Sequence, residues 1–232
     1  NLRREDSSSI LNSYEKEKYL ARQESKEGWE AIKKVLDINR HSVFILHQSM
    51  MALEIIKGAI PKPHIINIRR HPVDLAFSWI QRGWGHRYTS GDGGLLNFDP
   101  IYPYADSFVP YFAIDWCEEY LQGNEYDRVV KSINYLVEKE SEAIDNHEGT
   151  ICKIYYDHLV QNSERVIDKI CTFLKKEPHD SMAQMIKKET IDTNMISDRS
   201  DKENQIYSNI KDKNSFKKLM SLGKTYERCI SA

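Results

Sequence analysis

No stretch of this chain approaches the ~20 consecutive apolar residues that a membrane-spanning helix needs, and the opening residues Asn1–Ser9 are too polar and charged for a secretory leader. Cysteine is scarce. The four present, Cys117, Cys152, Cys171 and Cys229, are widely spaced without a CxxC pair, which argues against both a zinc site and a disulfide framework. There is no Asn-x-Ser/Thr sequon and no GxxxxGK[ST] phosphate loop. Charge of one sign is missing as well. Lys and Arg number 33 against 35 Asp and Glu, a net charge of −2, so no global field draws the chain to nucleic acid or anionic lipid, and any anion site has to be local. These absences favour a reducing, cytoplasmic setting, although a lumenal domain separated from its anchor would read the same way.

What is present suits a folded α/β domain. Of the 232 residues, 40% are hydrophobic and 29% charged, whereas disorder would require fewer apolar residues and a larger net charge. The length fits one domain spanning residues 1–232. Trp29, Ile32, Val35 and Leu36 fall at helical spacing. Ser42–Leu46 reads as a short buried strand ending at His47, and residues 50–58 as a short helix closed by Gly58. A second buried strand, His64–Ile68, runs into Arg69-Arg70-His71-Pro72 and a helix from Val73 to about Gln81, with Pro72 at a tolerated first position and Asp74 in the first turn. The Gly-, Tyr- and Pro-rich residues 82–112 read as one long functional loop. Helices are expected at 114–122, 126–145 and 166–174, a third buried strand at Thr150–Tyr155, a loop over 198–213, and a closing helix from Phe216 to about Arg228. Strands alternating with helices imply a parallel sheet.

The chemistry concentrates in Ile65-Ile66-Asn67-Ile68-Arg69-Arg70-His71-Pro72-Val73-Asp74 and the Ser78 that lies eight residues after Arg70. A guanidinium at a strand end can grip phosphate oxygens with both arms, and a serine two turns into the next helix can donate to the same group. This segment resembles the 3′-phosphate-binding segment of PAPS-dependent sulfotransferases. Two further segments are similar to that family in the same order. His47 stands 23 residues before Arg70, at the end of an apolar run, in the place of the family's base; alone it would read as a packed structural histidine. Ile151–Leu159, followed by a helix ending in Thr172-Phe173-Leu174, resembles the late strand and turn in which Tyr156 would lie beside adenine, although core packing would equally suit that ring.

The resemblance covers about residues 42–175. It implies a P-loop NTPase-like three-layer α/β/α fold with a central parallel sheet, PAPS as co-substrate with PAP as product, and no metal. It also implies transfer of a sulfuryl group to a hydroxyl or amine of a small-molecule or carbohydrate acceptor. His47 would be the general base. Arg70, Ser78 and Tyr156 would bind the nucleotide, and Trp84, His86 and Tyr88 would line the acceptor side. Departures are visible. The Pro-Lys/Arg-Ser-Gly-Thr-Thr-like loop that holds the 5′-phosphosulfate is missing, so the chain is expected to lack its N-terminal strand and that loop. Ile45 stands where the family often carries a lysine, and no carboxyl-terminal Arg-Lys-Gly element is visible; Arg199 and Lys202 form a basic pair in an expected loop, most simply read as solvated surface charge. Two alternatives stay open from the sequence: a P-loop kinase-like phosphotransferase, and a non-catalytic module on the same scaffold.

Overall fold

The computed structural model describes residues 33, 43–46, 49–60, 62–86, 100–147, 149–179, 182 and 198–231. The chain divides into two compact units, Asn1–His47 and Gln48–Ala232. In the first, Lys33 is helical, while Val43–Leu46 belongs to no regular element and is exposed, Val43 by 83% and Ile45 by 86%. The buried strand expected there is therefore corrected: a strand is made by its hydrogen-bonded neighbour, and these four residues pair with no described strand.

The second unit begins with a 3-10 turn, Ser49–Ala52, and helix α1, Leu53–Ala59. Strand β1, Ile65–Arg69, leads into α2, Pro72–Gln81. An antiparallel hairpin follows, β2 Ile101–Tyr104 and β3 Ser107–Pro110. After a 3-10 segment, Tyr111–Trp116, come α3, Cys117–Gln122, and the long α4, Glu125–Asp145. Strand β4, Ile151–Tyr155, is continued by α5, Tyr156–Gln161, and α6, Ser163–Leu174. Two helices close the chain, α7 Ser200–Asn209 and α8 Lys213–Ser231. Among the described residues no helix is long and apolar enough to cross a membrane.

β1 and β4 form a parallel pair in register from Ile65↔Ile151 to Arg69↔Tyr155. Side chains alternate across the sheet, which gives the layers. On one face Asn67 and Arg69 reach Glu140 on α4, with Asn67 Nδ2 donating to Oε1 at 2.6 Å and Arg69 Nε to Oε2 at 2.8 Å. On the other face Cys152 and Ile154 pack with Val166 of α6. Their register partners Ile66 and Ile68 stay 37% and 55% exposed, so β1 is covered on one face rather than both. The main core lies where α2, α4, α7 and α8 meet the hairpin, around Val73, Ala76, Val109, Val130, Ile133, Ile206 and Leu219.

Two loop expectations are also corrected. Residues 100–112 hold the β2–β3 hairpin, whose two-residue turn is Ala105-Asp106 with Ala105 at φ +50°. Such turns favour glycine or asparagine at positive φ, and their absence hid the hairpin. Residues 200–209 are helix α7, which buries only Ile206 and so shows little apolar periodicity.

Candidate functional site

The end of β1 presents two adjacent arginines, and alternation sends them opposite ways. Arg69 turns to α4, where Nε meets Glu140 and Nη2 donates to Ser141 Oγ at 2.7 Å. Its charge is committed to the fold. Arg70 leaves on the other side. Its Cζ stands 5.4 Å from the centroid of the Tyr156 ring, and its Nε is buried without a hydrogen-bond partner among the described residues. A buried donor left unpaired is uncommon and costs free energy, so this one calls for an acceptor.

The turn after Arg70 is built for helix initiation. His71 takes the N-cap position, its Nδ1 accepting from the Val73 backbone N–H at 3.3 Å, and Pro72 follows at the first helical position. His71 is 1% exposed and edge-on to Tyr226, with ring centroids 5.3 Å apart. Nε2 lies 3.4 Å from Glu227 Oε1 but outside hydrogen-bonding geometry. Burial, and then the Arg199 charge, lower the imidazole pKa against the opposing pull of Asp74, Glu227 and Asp157. The histidine is neutral at neutral pH.

At the neighbouring strand end, Tyr156 opens α5 and Asp157 follows it in the first turn. Tyr155, still in β4, packs edge-on to Tyr226 at 5.2 Å; burial, together with its hydrogen bond to Cys229, pushes its pKa up to about 12. The carboxylates Asp74 and Asp157 converge on one residue. Arg199 donates from Nε to Asp74 Oδ2 at 2.9 Å and from Nη2 to Asp157 Oδ2 at 2.8 Å. Lys202 Nζ completes Asp74 at Oδ1 (2.5 Å), and the Tyr226 hydroxyl donates to Asp157 Oδ1 at 3.0 Å. Burial works against the Arg199 charge, but hydrogen bonding to Asp157 and the two carboxylate charges overcome it and hold its pKa above the ordinary value. Reading Arg199 and Lys202 as solvated surface charge is thus corrected. They are 11% and 17% exposed and bound to buried acids. The pair was visible in the sequence; its acidic partners, Asp74 at 125 and 128 positions from the two bases and Asp157 at 42 from Arg199, were not.

The remaining expected site residues are distributed as follows. Arg70 and Tyr156 are brought together. Ser78 is half-buried one turn beyond Asp74 on α2, and no described contact joins it to Arg70. Trp84 packs on Trp79 with ring centroids 4.5 Å apart, at the edge of the main core. His86 is 65% exposed and its Nε2 lies 2.6 Å from Glu125 Oε2. His47 and Tyr88 lie outside the described residues.

The parallel sheet thus gathers an arginine, an aromatic ring and two helix N-termini at the carboxyl ends of its strands, the edge at which open α/β sheets place their ligands. The sulfotransferase domain model matches residues 30–227, and the chain belongs to this family. The resemblance drawn from three short segments is borne out over most of the chain. The protein is accordingly a transferase of the sulfotransferase class, built on an α/β fold with a parallel sheet. No curated protein and no solved structure matches it.

Proposed function

We propose that the chain transfers a sulfuryl group from PAPS to a hydroxyl- or amine-bearing small molecule or carbohydrate, with the donor nucleotide held at the carboxyl ends of β1 and β4. The observation that carries this reading is the Arg70 guanidinium, lying over the Tyr156 ring with its Nε buried and unpaired. An unpaired buried donor on a permanently charged fork fits a phosphate, and the adjacent aromatic face fits a purine. PAPS supplies the sulfuryl group and a nucleotide leaving group. Arg70 anchors the ribose phosphate, Ser78 donates its hydroxyl to the same group, and Tyr156 lies by the base.

His47 takes the role of general base on the strength of its sequence position. A neutral imidazole with an ordinary pKa near 6.5 accepts the acceptor's proton at neutral pH. His71 is unsuited to that task, because its Nδ1 caps α2 and its ring is sealed from solvent. Trp84, His86 and Tyr88 are assigned to the acceptor side. The protein's work is chiefly positioning and charge neutralisation, as in phosphoryl transfer.

A thermal-shift titration tests the reading. PAP should raise the melting temperature and ADP, which lacks the 3′-phosphate, should not. Arg70→Met should weaken PAP and shrink its shift, and His47→Ala should abolish turnover while leaving that shift intact. Equal stabilisation by ADP would point instead to a kinase-like donor site.

A further inference from the structure

Two buried carboxylates from distant parts of the chain share one guanidinium. Asp74 is in the first turn of α2, four residues after Arg70; Asp157 is in the first turn of α5, immediately after Tyr156. Arg199, at the N-cap of α7, bonds both, at 2.9 and 2.8 Å. The geometry points to Arg199 as a positioning residue that fixes the separation of the β1–α2 and β4–α5 junctions, and through it the placement of Arg70 over Tyr156. This inference rests on the donor-binding role given to that pair above.

Three features support a positioning role over a purely stabilising one. First, the guanidinium is planar and rigid, so a fork spanning two carboxylates sets both distance and orientation. Second, the cluster is balanced and saturated. Two acids meet two bases, and each of the four carboxylate oxygens has a partner, Lys202 on Asp74 Oδ1 and Tyr226 on Asp157 Oδ1 filling the two that Arg199 leaves. Third, buried ion clusters are poor sources of net stability, since well-packed apolar groups often serve as well or better. What they provide that an apolar patch does not is a defined geometry. Arg199 is itself 11% exposed, and its Nε and Nη2 are already committed to the two carboxylates they hold apart.

The experiment compares Arg199→Gln and Arg199→Lys, each made with Arg70 intact and in an Arg70→Met background. The double variant Asp157→Asn/Arg199→Gln removes one charge of each sign, in case Arg199→Gln alone fails to fold. PAP affinity is measured by calorimetry on the full chain, alongside KM for PAPS and kcat. With Arg70 present, Arg199→Gln should weaken PAP about tenfold and raise KM for PAPS by a similar factor, kcat at saturation changing little. Arg199→Lys, a point charge without a fork, should recover only a small part of the loss. In the Arg70→Met background the same changes should cost nothing further. Equal losses in both backgrounds, or unchanged PAP affinity in a folded variant lacking Arg199, overturn the proposal. If the native chain binds no PAP, the donor reading fails and this inference with it. If PAP binds through Arg70 while Arg199 is indifferent, this inference fails alone.

Discussion

The Arg70 guanidinium carbon stands 5.4 Å from the centroid of the Tyr156 ring, joining the end of one parallel strand to the start of the helix after its neighbour. A cation over an aromatic face is worth about 0.5–2 kcal/mol, depending on how dry the site is. Tyr156→Phe keeps the face and should hold PAP affinity within about threefold, whereas Tyr156→Ala should lower it about tenfold. Calorimetric titration of the two variants decides the matter. Equal binding by both would remove Tyr156 from the nucleotide site.

Neighbouring arginines should give opposite phenotypes. Arg69→Met leaves Glu140, 21% exposed, without its cation and with only Asn67 to bond it, and should lower stability by about 1–3 kcal/mol with PAP affinity nearly unchanged. Arg70→Met removes a group with no described hydrogen-bond partner at Nε, so it should leave the urea midpoint almost where it was while PAP binding weakens markedly. Chemical denaturation and PAP titration of both variants test this. The reverse pattern would mean that the two side chains have exchanged roles.

Gly223 is required by a close approach. A Cβ there would come within 2.9 Å of His71 Cε1 and 3.1 Å of Nε2, and the ring is boxed in by the Val73 N–H and Tyr226. Gly223→Ala gains helix propensity in α8 but overpacks this contact, and a loss of about 1–3 kcal/mol is expected. That corresponds to a fall in melting temperature of several degrees at this size. An unchanged or higher melting temperature would show that α8 can slide away from the β1–α2 turn without cost.

His71 should also make stability pH-dependent. Its folded pKa lies below the ordinary 6.5, chiefly through burial, so the unfolded chain takes up the proton first as pH falls. Its contribution is therefore complete above about pH 6.5 and is lost as pH drops from there through the lowered folded value. Glu227, Tyr226, Arg199, Asp74 and Asp157 face the ring. His71→Asn keeps an N-cap acceptor and removes the titration. Stability measured between pH 7.5 and 5 should fall in the native chain and stay flatter in the variant; parallel curves would exclude His71 as the source.

The local signals were legible from the chain. Pro72 and Asp74 place the start of α2 within a residue, and the apolar spacing of Val129, Val130 and Ile133 marks the buried face of α4. Each of these is a contact within a few positions. Where the reading went astray, the deciding partner was remote or the local cue was absent. Val43–Leu46 has the composition of a strand but no described neighbour to pair with, and Ala105-Asp106 turns a hairpin without the usual glycine.

By itself, then, the sequence determined the βα unit around Arg70, the parallel α/β class and the family, because all three depend on residue order along short segments. Tertiary structure alone decided which of two adjacent arginines is spent on the core, that Arg70 meets Tyr156, and that Arg199 and Lys202 are engaged with buried acids. The physical reason is distance along the chain. Strand alternation can say that Arg69 and Arg70 point apart, but only the packing of α4, α7 and α8 against the sheet supplies the partner that awaits each of them.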